Sequence, residues 1–389
     1  MSLHYGYRSG ETGSSRNEKY SAAYSGYFGS WTDSSLIAVK YKDSSTLARK
    51  LCLIMTNDAW SSYAKYEQLD DANSVYGGPR SSKTHWFVRG YWGDNYTINM
   101  STGALTDTGS LNPPYTHMVW DVNSDNVLSQ RWDLNIARAT HTSAISNSPS
   151  WTDVENTKGY MHGINVLGNG TIVACKGYAS NFQTAGTKAY VSTNGGLNWS
   201  VAYVSPGRYS FGGYSISFPG WTGASTTNGA LFWYVGIDTD GAGSGTTLRD
   251  EVLYTEDGSN WSNLGIQSNA MGSPTYHSSF GSNRLINVPG TNRIWTIKNG
   301  STLWMSTNGY QFSSVNTNGS GIENIVYDNS KYFYGAVING TGIDIYKTSD
   351  VESQITSTTT WNKVGNTIDI VDAGGIDSGQ MSLYAPWPN

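Results

Sequence analysis

Residues 189–199, Ala-Tyr-Val-Ser-Thr-Asn-Gly-Gly-Leu-Asn-Trp, contain the pattern that decides the fold of this chain. An apolar stretch ends at Ser192, a turn containing Asn194 follows, and Trp199 closes the unit. Asn side chains accept hydrogen bonds from the backbone that follows them, and glycine adopts the left-handed conformation that tight turns need. The pattern therefore predicts a β-strand that ends in a tight turn anchored by an aromatic ring.

This unit recurs along the second half of the chain. A looser copy runs from Thr348 to Trp361. Farther upstream, Trp151 occupies the aromatic position at the end of a similar unit that lacks the glycine turn. The successive aromatic anchors lie about 50–60 residues apart, which is the length that four short strands and their turns need. The three clearest copies consist of Ser192, Asn194, Gly196 and Trp199; Thr255, Asp257, Gly258 and Trp261; and Ser306, Asn308, Gly309 and Phe312.

The composition of the 389 residues favours a compact β protein. Charged residues make up 14% and aromatic residues 13%, whereas disordered chains are rich in charge and poor in aromatics. The same low charge argues against a helical bundle or a coiled coil. The net charge of −5, without a basic stripe, argues against a nucleic-acid partner. No run of about 18 apolar residues predicts a membrane span.

Hairpin signals separate the predicted strands between the aromatic anchors. Asn-Gly pairs occur at residues 228–229, 299–300 and 339–340, each between runs rich in β-branched and aromatic residues. Both central residues of a tight hairpin turn need positive φ, which Asn and Gly tolerate. Amphipathic helix patterns are weak, and the best candidate covers residues 60–69.

The recurring unit Ser/Thr-x-Asp/Asn-x-Gly-x-x-Trp/Phe resembles the Asp-box, or BNR repeat, of sialidase-like β-propellers. The resemblance implies an all-β fold of seven four-stranded blades, with six or eight as alternatives. We expect one domain over residues 1–389, with blade boundaries near 32, 63, 111, 159, 207, 269 and 319. Segments 1–31 and 369–389 are expected to close the ring, which hides sheet edges. The Asp-box residues themselves are expected to hold the fold.

The resemblance also indicates where a ligand would bind. In this family the Asp-box joins the third strand to the fourth, so the opposite rim receives the second-to-third loops. Two of these loops are enlarged, at residues 176–188 and 238–250. Long loops on a rigid scaffold often carry binding sites; the alternative is flexible Gly/Ser tips. The predicted binding residues are Tyr178, Phe182, Arg208, Tyr209, Asp238, Asp240, Arg249 and Asp250.

Catalytic and metal-binding patterns are weak in this sequence. Asp238, Asp240 and Asp250 could offer oxygen ligands to Ca²⁺, but a solvated turn explains them as well. Sialidases use an arginine clamp and an Arg-Ile-Pro sequence, whereas Arg293-Ile294 here precedes Trp295. Cys52 and Cys175 read as buried strand residues with free thiols. We therefore expect no enzyme activity, no cofactor and no metal.

The richness in Ser, Thr, Asn, Gly and Tyr, and a start without a secretory signal, resemble bacteriophage tail and receptor-binding proteins. These features predict a non-enzymatic virion protein of the tail or its periphery, assembled in the host cytoplasm. Its expected partners are other tail proteins, further copies of this chain, and a host glycan or receptor. Alternatives are a sialidase-like glycoside hydrolase, a carbohydrate-binding lectin, and an intracellular assembly factor.

Overall fold

The computed structural model describes residues 35–70, 80–82, 84–89, 95–109, 115–121, 123–131, 135–154, 160–167, 169–178, 188–204, 208–221, 229–238, 248–267, 285–288, 291–298, 301–307, 312–319, 321–322, 324–327, 331–370 and 373–384. These residues form seven four-stranded antiparallel sheets. Each sheet is one blade, and its strands are called A to D in the order in which they pair. A and C run in one direction and B and D in the other, so the A–B and C–D turns share one rim.

The first four blades, with strands given from A to D, have the following bounds. Blade 1 contains β28 (Ala373–Tyr384), β1 (Ser35–Asp43), β2 (Arg49–Thr56) and β3 (Ala64–Asp70); blade 2 contains β4 (Arg80–Ser81), β5 (His85–Arg89), β6 (Asn95–Asn99) and β7 (Leu105–Gly109); blade 3 contains β8 (Tyr115–Asp121), β9 (Asn126–Arg131), β10 (Ala137–Thr140) and β11 (Thr152–Asp153); blade 4 contains β12 (Tyr160–Val166), β13 (Ile172–Tyr178), β14 (Lys188–Ser192) and β15 (Ser200–Val204).

The remaining three blades follow the same order. Blade 5 contains β16 (Arg208–Trp221), β17 (Gly229–Asp238), β18 (Leu248–Thr255) and β19 (Ser262–Gln267); blade 6 contains β20 (Leu285–Asn287), β21 (Ile294–Lys298), β22 (Thr302–Ser306) and β23 (Ser313–Asn316); blade 7 contains β24 (Asn324–Tyr327), β25 (Phe333–Asn339), β26 (Gly342–Thr348) and β27 (Trp361–Asp369). Two short helical elements complete the described chain, the α-helix α1 (His141–Ala144) and a 3₁₀ turn (Glu352–Gln354).

The seven blades form a closed ring. The A strands of neighbouring blades contact each other along most of the ring, as β4 does with β8, β8 with β12, β12 with β16, β16 with β20, and β24 with β28. Apolar clusters join blade 1 to blade 2 and blade 6 to blade 7. The chain is therefore a seven-bladed β-propeller, as the sequence predicted, with the A strands nearest the axis.

Strand β1 shows why these sequences pack as blades. Leu36 and Ala38 belong to the cluster against blade 2, whereas Ile37, Val39 and Tyr41 belong to the cluster against blade 7. Successive side chains of a strand point to opposite faces of the sheet, so an uninterrupted apolar run serves two neighbours at once. Burying each large apolar side chain is worth roughly 1.5–3 kcal/mol, and the blade-to-blade contacts therefore supply much of the stability.

The ring closes between the beginning and the end of the described chain. Strand β28 pairs antiparallel with β1, with Leu36 opposite Tyr384 and Val39 opposite Met381. The A strand of blade 1 thus comes from residues 373–384, while its other three strands come from residues 35–70. Residues 1–31, which were also expected to help closure, lie outside the described residues.

The C–D turn of blade 4 is built from side-chain hydrogen bonds. The Ser192 hydroxyl accepts the Gly196 N–H at 3.0 Å, and Asn194 Oδ1 accepts the Asn198 N–H at 3.0 Å. Gly196 has φ +81°, and the Trp199 indole donates back to the Gly196 carbonyl at 3.0 Å. These bonds satisfy the backbone groups that the turn would otherwise leave unpaired.

The C–D turn of blade 5 repeats this arrangement. The Thr255 hydroxyl accepts the Gly258 N–H at 2.9 Å, and the Trp261 indole donates to the Gly258 carbonyl at 2.9 Å. Burial pushes the pKa of Asp257 upward, but hydrogen bonds from Asn260 and Ser259 outweigh it, and the pKa lies below its usual 3.8. In blade 6, Ser306 is buried and Phe312 half-buried, whereas Asn308 and Gly309 lie outside the described residues.

The C–D turn of blade 1 has the same hydrogen bonds without glycine. The Thr56 hydroxyl accepts the Trp60 N–H at 3.1 Å, and Asp58 Oδ1 accepts the Ser62 N–H at 2.8 Å. Trp60 takes the place of Gly196, with φ +71°, and Ala59 precedes it with φ +55°. The Trp60 ring is buried in the cluster between blades 7 and 1.

This turn corrects two expectations about blade 1. Residues 60–69 do not form a helix: residues 60–63 complete the turn and β3 covers most of the rest. The boundary expected near 63 is also wrong, because β3 is the D strand of blade 1 and blade 2 begins at β4. Both errors have one cause, since a Trp stands where the sequence pattern requires glycine.

Candidate functional site

Six of the eight predicted binding residues are among the described residues, and their backbone lies on the rim opposite the C–D turns. Tyr178 ends β13, and Arg208 begins β16 next to Tyr209. Arg208 is the register partner of Asp238, and Arg249 is the partner of Ile237. Asp250 follows Arg249 in β18, whereas Phe182 and Asp240 lie outside the described residues. The backbone thus brings residues 208, 209, 238, 249 and 250 to one corner of blade 5, and their role in binding stays a prediction.

Arg293 has a structural partner across two blades. Its guanidinium donates to both carboxylate oxygens of Glu352 at 2.6 and 2.7 Å, and the Trp295 indole donates to Glu352 Oε1 at 2.6 Å. The Glu352 hydrogen bond raises the pKa of Arg293 against the opposing effect of burial. Arg293 directly precedes β21 of blade 6, and Glu352 lies in the turn between β26 and β27 of blade 7. This arginine therefore joins two neighbouring blades.

A buried Ser–His pair joins blades 2 and 3. His141 Nε2 lies 2.6 Å from Ser82 Oγ, and the His141 ring meets the rings of His85, Phe87 and Trp120 at centroid distances of 6.0–6.4 Å. A serine nucleophile must reach a substrate, whereas Ser82 has 0% of its surface exposed. The pair therefore packs two blades together.

An open cavity of about 430 Å³ lies at the junction of blades 3 and 4. It is bounded on one side by the two outer strands of blade 3, β10 and β11, and on the other by the C–D turn of blade 4. Its volume falls within the range of about 300–1,000 Å³ that is typical of ligand pockets. The lining residues are Arg138, Thr152, Asp153, Val154, Leu197, Asn198 and Trp199.

The register of β10 and β11 fixes how blade 3 presents its polar groups. Arg138 pairs with Thr152, and Ala137 pairs with Asp153. Directly paired residues of an antiparallel sheet project from the same face, so the guanidinium of Arg138 and the hydroxyl of Thr152 share one face. The Asp153 side chain projects from the other face, beside buried Ala137.

The C–D turn of blade 4 exposes an apolar side chain, Leu197, on an ordered backbone. Leu197 is 56% exposed, although it lies between two residues whose positions the turn fixes. The Asn198 N–H is bound by Asn194 and the Trp199 indole by Gly196, both at 3.0 Å. Binding to groups that are already ordered costs less conformational entropy than binding to mobile ones. The exposed leucine is thus preorganised for contact.

The cavity residues were not among those predicted from the sequence. Trp199, which was expected to hold the fold, donates its indole N–H to the Gly196 carbonyl. The other lining residues carry no sequence signal apart from Leu197, an apolar residue at an exposed turn position. The cavity exists because residues 138 and 152–154 meet residues 197–199 across a blade junction, which local patterns do not encode.

The Asp121–Asp125 segment is a hydrogen-bonded turn. Asp121 accepts the Asn123 N–H at 3.1 Å and the Ser124 hydroxyl at 2.5 Å, and Asp125 accepts the Trp120 indole at 3.0 Å. In the described part of the chain, no three His, Cys, Asp or Glu side chains are placed to hold one metal ion. The helices among these residues are too short to span a membrane.

Comparison with known proteins supports the fold. No family model and no curated protein matches this chain. Among solved structures it is similar to a Lactobacillus plantarum protein (11% identity, TM-score 0.53, 90% of this chain and 98% of that one). A putative 6-phosphogluconolactonase from Bacteroides uniformis shows 10% identity and a TM-score of 0.51, with 90% and 99% covered. The dihydro-heme d1 dehydrogenase NirN shows 9% and 0.50, with 91% and 75% covered.

These comparisons correct the predicted function. The similar structures include a putative lactonase and a dehydrogenase, and none of those named above is a virion protein. The prediction of a bacteriophage tail protein is therefore wrong. It depended on a composition rich in Ser, Thr, Asn, Gly and Tyr, which the tight turns and aromatic anchors of a β-propeller require in any case.

Proposed function

We propose that this chain is a ligand-binding propeller whose site is the cavity between blades 3 and 4, and that it is not an enzyme. One observation carries the proposal. Half-exposed Arg138 and exposed Leu197, which lies in an ordered turn, line opposite sides of an open cavity of about 430 Å³. A concave site with an apolar wall and a few fixed polar groups is the usual form of a ligand pocket.

The chemistry of the lining favours binding over catalysis. Arg138 offers a fork of donors, Thr152 a hydroxyl, Asp153 a carboxylate and Asn198 an amide, while Leu197 and Trp199 offer apolar surface. Catalysis by a nucleophile needs a neighbouring base, and the Ser82–His141 pair that has this chemistry is buried away from solvent. The expected ligand therefore combines an apolar group with a hydrogen-bonding or anionic group.

The test is ligand-observed NMR with a library of small organic fragments that includes aliphatic and aromatic carboxylic acids. Fragments that bind the wild type should lose binding in Leu197→Asp. Leu47→Asp is the matched control, because Leu47 is 68% exposed at the β1–β2 turn of a distant blade and should accept the same change. The proposal fails if no fragment binds, or if Leu197→Asp leaves every bound fragment in place.

A further inference from the structure

Four Asn-Gly pairs lie within the described residues, and this dipeptide can undergo a spontaneous chemical change. Their asparagines are Asn169, Asn194, Asn318 and Asn339. The backbone nitrogen of the glycine can attack the side-chain carbon Cγ of the asparagine. Only three atoms of the chain separate these two atoms, and glycine has no side chain to block the approach. The hydrogen bonds of each pair show which of the four is free to react.

The pair Asn194–Gly195, in the C–D turn of blade 4, has its reacting groups free and its carbonyl oxygen held. Asn194 is exposed, and neither its Nδ2 nor the Gly195 N–H makes a hydrogen bond in the described part of the chain. Asn194 Oδ1 accepts the Ser192 hydroxyl and the Asn198 N–H, both at 3.0 Å. Two donors stabilise the negative charge that this oxygen gains when Cγ is attacked, as in an oxyanion hole.

At each of the other three pairs, a hydrogen bond holds a group that would have to react. The Gly170 N–H donates to a backbone carbonyl at 2.8 Å and the Gly319 N–H to another at 3.0 Å, so these nitrogens must break a bond before they attack. Asn339 Nδ2 donates to Asp344 Oδ2 at 3.0 Å, which holds the leaving nitrogen in place. Among the four pairs, Asn194–Gly195 is therefore the least restrained.

We propose that Asn194 is a self-modification site that loses its side-chain amide to water. A base in solution removes the Gly195 N–H proton, the nitrogen bonds to Asn194 Cγ, and the bond from Cγ to Nδ2 breaks. Ammonia leaves with a proton from solvent, and a cyclic imide remains. One water molecule then opens the imide. Attack at Cγ gives an aspartate at position 194, whereas attack at the backbone carbonyl carbon gives an isoaspartate, whose main chain runs through Cγ.

The two products have different effects on the turn that borders the cavity. Aspartate is the residue type that blades 1 and 5 carry at this position, as Asp58 and Asp257, and it keeps an acceptor for the Asn198 N–H. Isoaspartate lengthens the main chain by one carbon and displaces this acceptor. Because Leu197 and Asn198 line the cavity, the isoaspartyl form should bind fragments more weakly, a consequence that rests on the function proposed above.

The experiment incubates the folded protein at mildly alkaline pH and follows the amides by peptide mass spectrometry. Trypsin places three of the asparagines on separate peptides, which are residues 159–176, 189–208 and 332–347. Conversion should be about tenfold or more faster at Asn194 than at Asn169 or Asn339, which must first break a hydrogen bond. In guanidinium chloride the three rates should become similar, because folding no longer restrains any of them. Equal rates in the folded protein, or no conversion at Asn194, would overturn the proposal.

Variants of Ser192 test whether the hydrogen bonds to Asn194 Oδ1 promote the reaction. Ser192→Ala removes one of the two donors and should slow the conversion several-fold. Ser192→Thr is the matched control, because Thr255 supplies the hydroxyl at this position of blade 5, and it should react as wild type does. A Ser192→Ala rate equal to or above that of wild type would overturn this role. Thermal unfolding of each variant establishes that it is folded during the incubation.

Fragment binding to the aged protein separates the modification from its effect on the cavity. Ion exchange isolates the modified protein by its added negative charge, and Asn194→Asp carries this charge without the longer main chain. Isoaspartyl protein should bind fragments more weakly than Asn194→Asp does. Equal binding, with Leu197→Asp still inactive, would make the consequence for the cavity wrong while the proposed function stands. If no fragment binds even the fresh protein, the proposed function fails, and the conversion rates still decide the modification.

Discussion

The C–D turns of blades 4 and 1 are held by matching hydrogen bonds on different residues. In blade 4 the Ser192 hydroxyl accepts the N–H of Gly196, and in blade 1 the Thr56 hydroxyl accepts the N–H of Trp60. Both residues that donate these N–H groups, Gly196 and Trp60, adopt a left-handed backbone, at φ +81° and +71°. The geometry of the turn is thus common to both blades, whereas the residue that occupies its strained position is not.

The difference shows how a tryptophan can replace glycine. A non-glycine residue in the left-handed region costs roughly 1–2 kcal/mol. Burial of an indole removes about 150–250 Å² from water, worth roughly 4–6 kcal/mol at 25 cal/mol per Å². Trp60 is only 5% exposed between blades 7 and 1, so burial outweighs strain. Gly196 has no such option, because its Cβ would meet Leu128 of blade 3 at 2.1 Å.

Trp60→Gly is the change with the largest expected effect on this comparison. The lost indole should cost about 3–5 kcal/mol, of which relief of backbone strain returns about 1–2, for a net loss of about 3 kcal/mol. Urea unfolding of the purified variant measures this. An unchanged free energy of unfolding would mean that the Trp60 ring does not compensate for its backbone.

Gly196→Ala should cost about 2 kcal/mol, from left-handed strain and from the contact with buried Leu128. Gly340→Ala is the matched control, because Gly340 also has positive φ but its Cβ would meet no atom within 4 Å. Its cost should be about 1 kcal/mol, from strain alone. If urea unfolding gives the same loss of stability for Gly196→Ala and Gly340→Ala, the contact with Leu128 of blade 3 contributes nothing.

Asp58→Asn should cost about 1 kcal/mol at neutral pH, since a charged acceptor becomes a neutral one. Burial pushes the pKa of Asp58 upward, but hydrogen bonds from Ser62 and Thr56 outweigh it and the folded-state pKa lies below 3.8. The carboxylate therefore stabilises the fold above pH 3.8, and this contribution is lost as the pH falls through the folded-state pKa.

Unfolding of wild type and Asp58→Asn across pH 2–7 checks this dependence. The difference between the two proteins should shrink on acidification. Asn194, the equivalent residue of blade 4, does not titrate, so Asn194→Ala should cost a similar amount at every pH. A difference for Asp58 that stays constant to pH 2 would contradict the assignment.

The smallest expected effect concerns the aromatic anchors. Trp199→Phe removes the indole bond to the Gly196 carbonyl and should cost about 1 kcal/mol. Tyr63, at the corresponding position of blade 1, is 48% exposed, and Tyr63→Phe should change stability by less than about 0.5 kcal/mol. Thermal unfolding of the two variants side by side measures the contrast, and equal shifts would contradict it.

The blade repeat was predictable because its turns are local. Ser192 to Trp199 make all their defining hydrogen bonds within eight residues, so a single sequence displays them. The turn of blade 1 could not be recognised in the sequence, because the pattern contains glycine at the position of Trp60. That position requires only a residue that can adopt a positive φ. Trp60 can keep its positive φ because its ring packs between blades 7 and 1, and a local sequence pattern does not show such packing.

The candidate site could not be predicted for a related reason. Long loops drew attention to residues 176–188 and 238–250, on the rim opposite the C–D turns. The described cavity instead lies where Arg138 faces Leu197 across a blade junction, in short segments without unusual composition. Residues far apart in the chain meet there through packing, and a sequence motif records only neighbours.

The pairing of β28 with β1 has a consequence for synthesis on the ribosome. Residues 35–43 emerge early, but the partner that covers their inner edge follows only after residues 44–372 have been translated. During that interval blade 1 lacks its A strand, and an apolar strand edge is open to other nascent chains. Premature termination before residue 373 would make this exposure permanent, so truncated products should aggregate even when six complete blades are present.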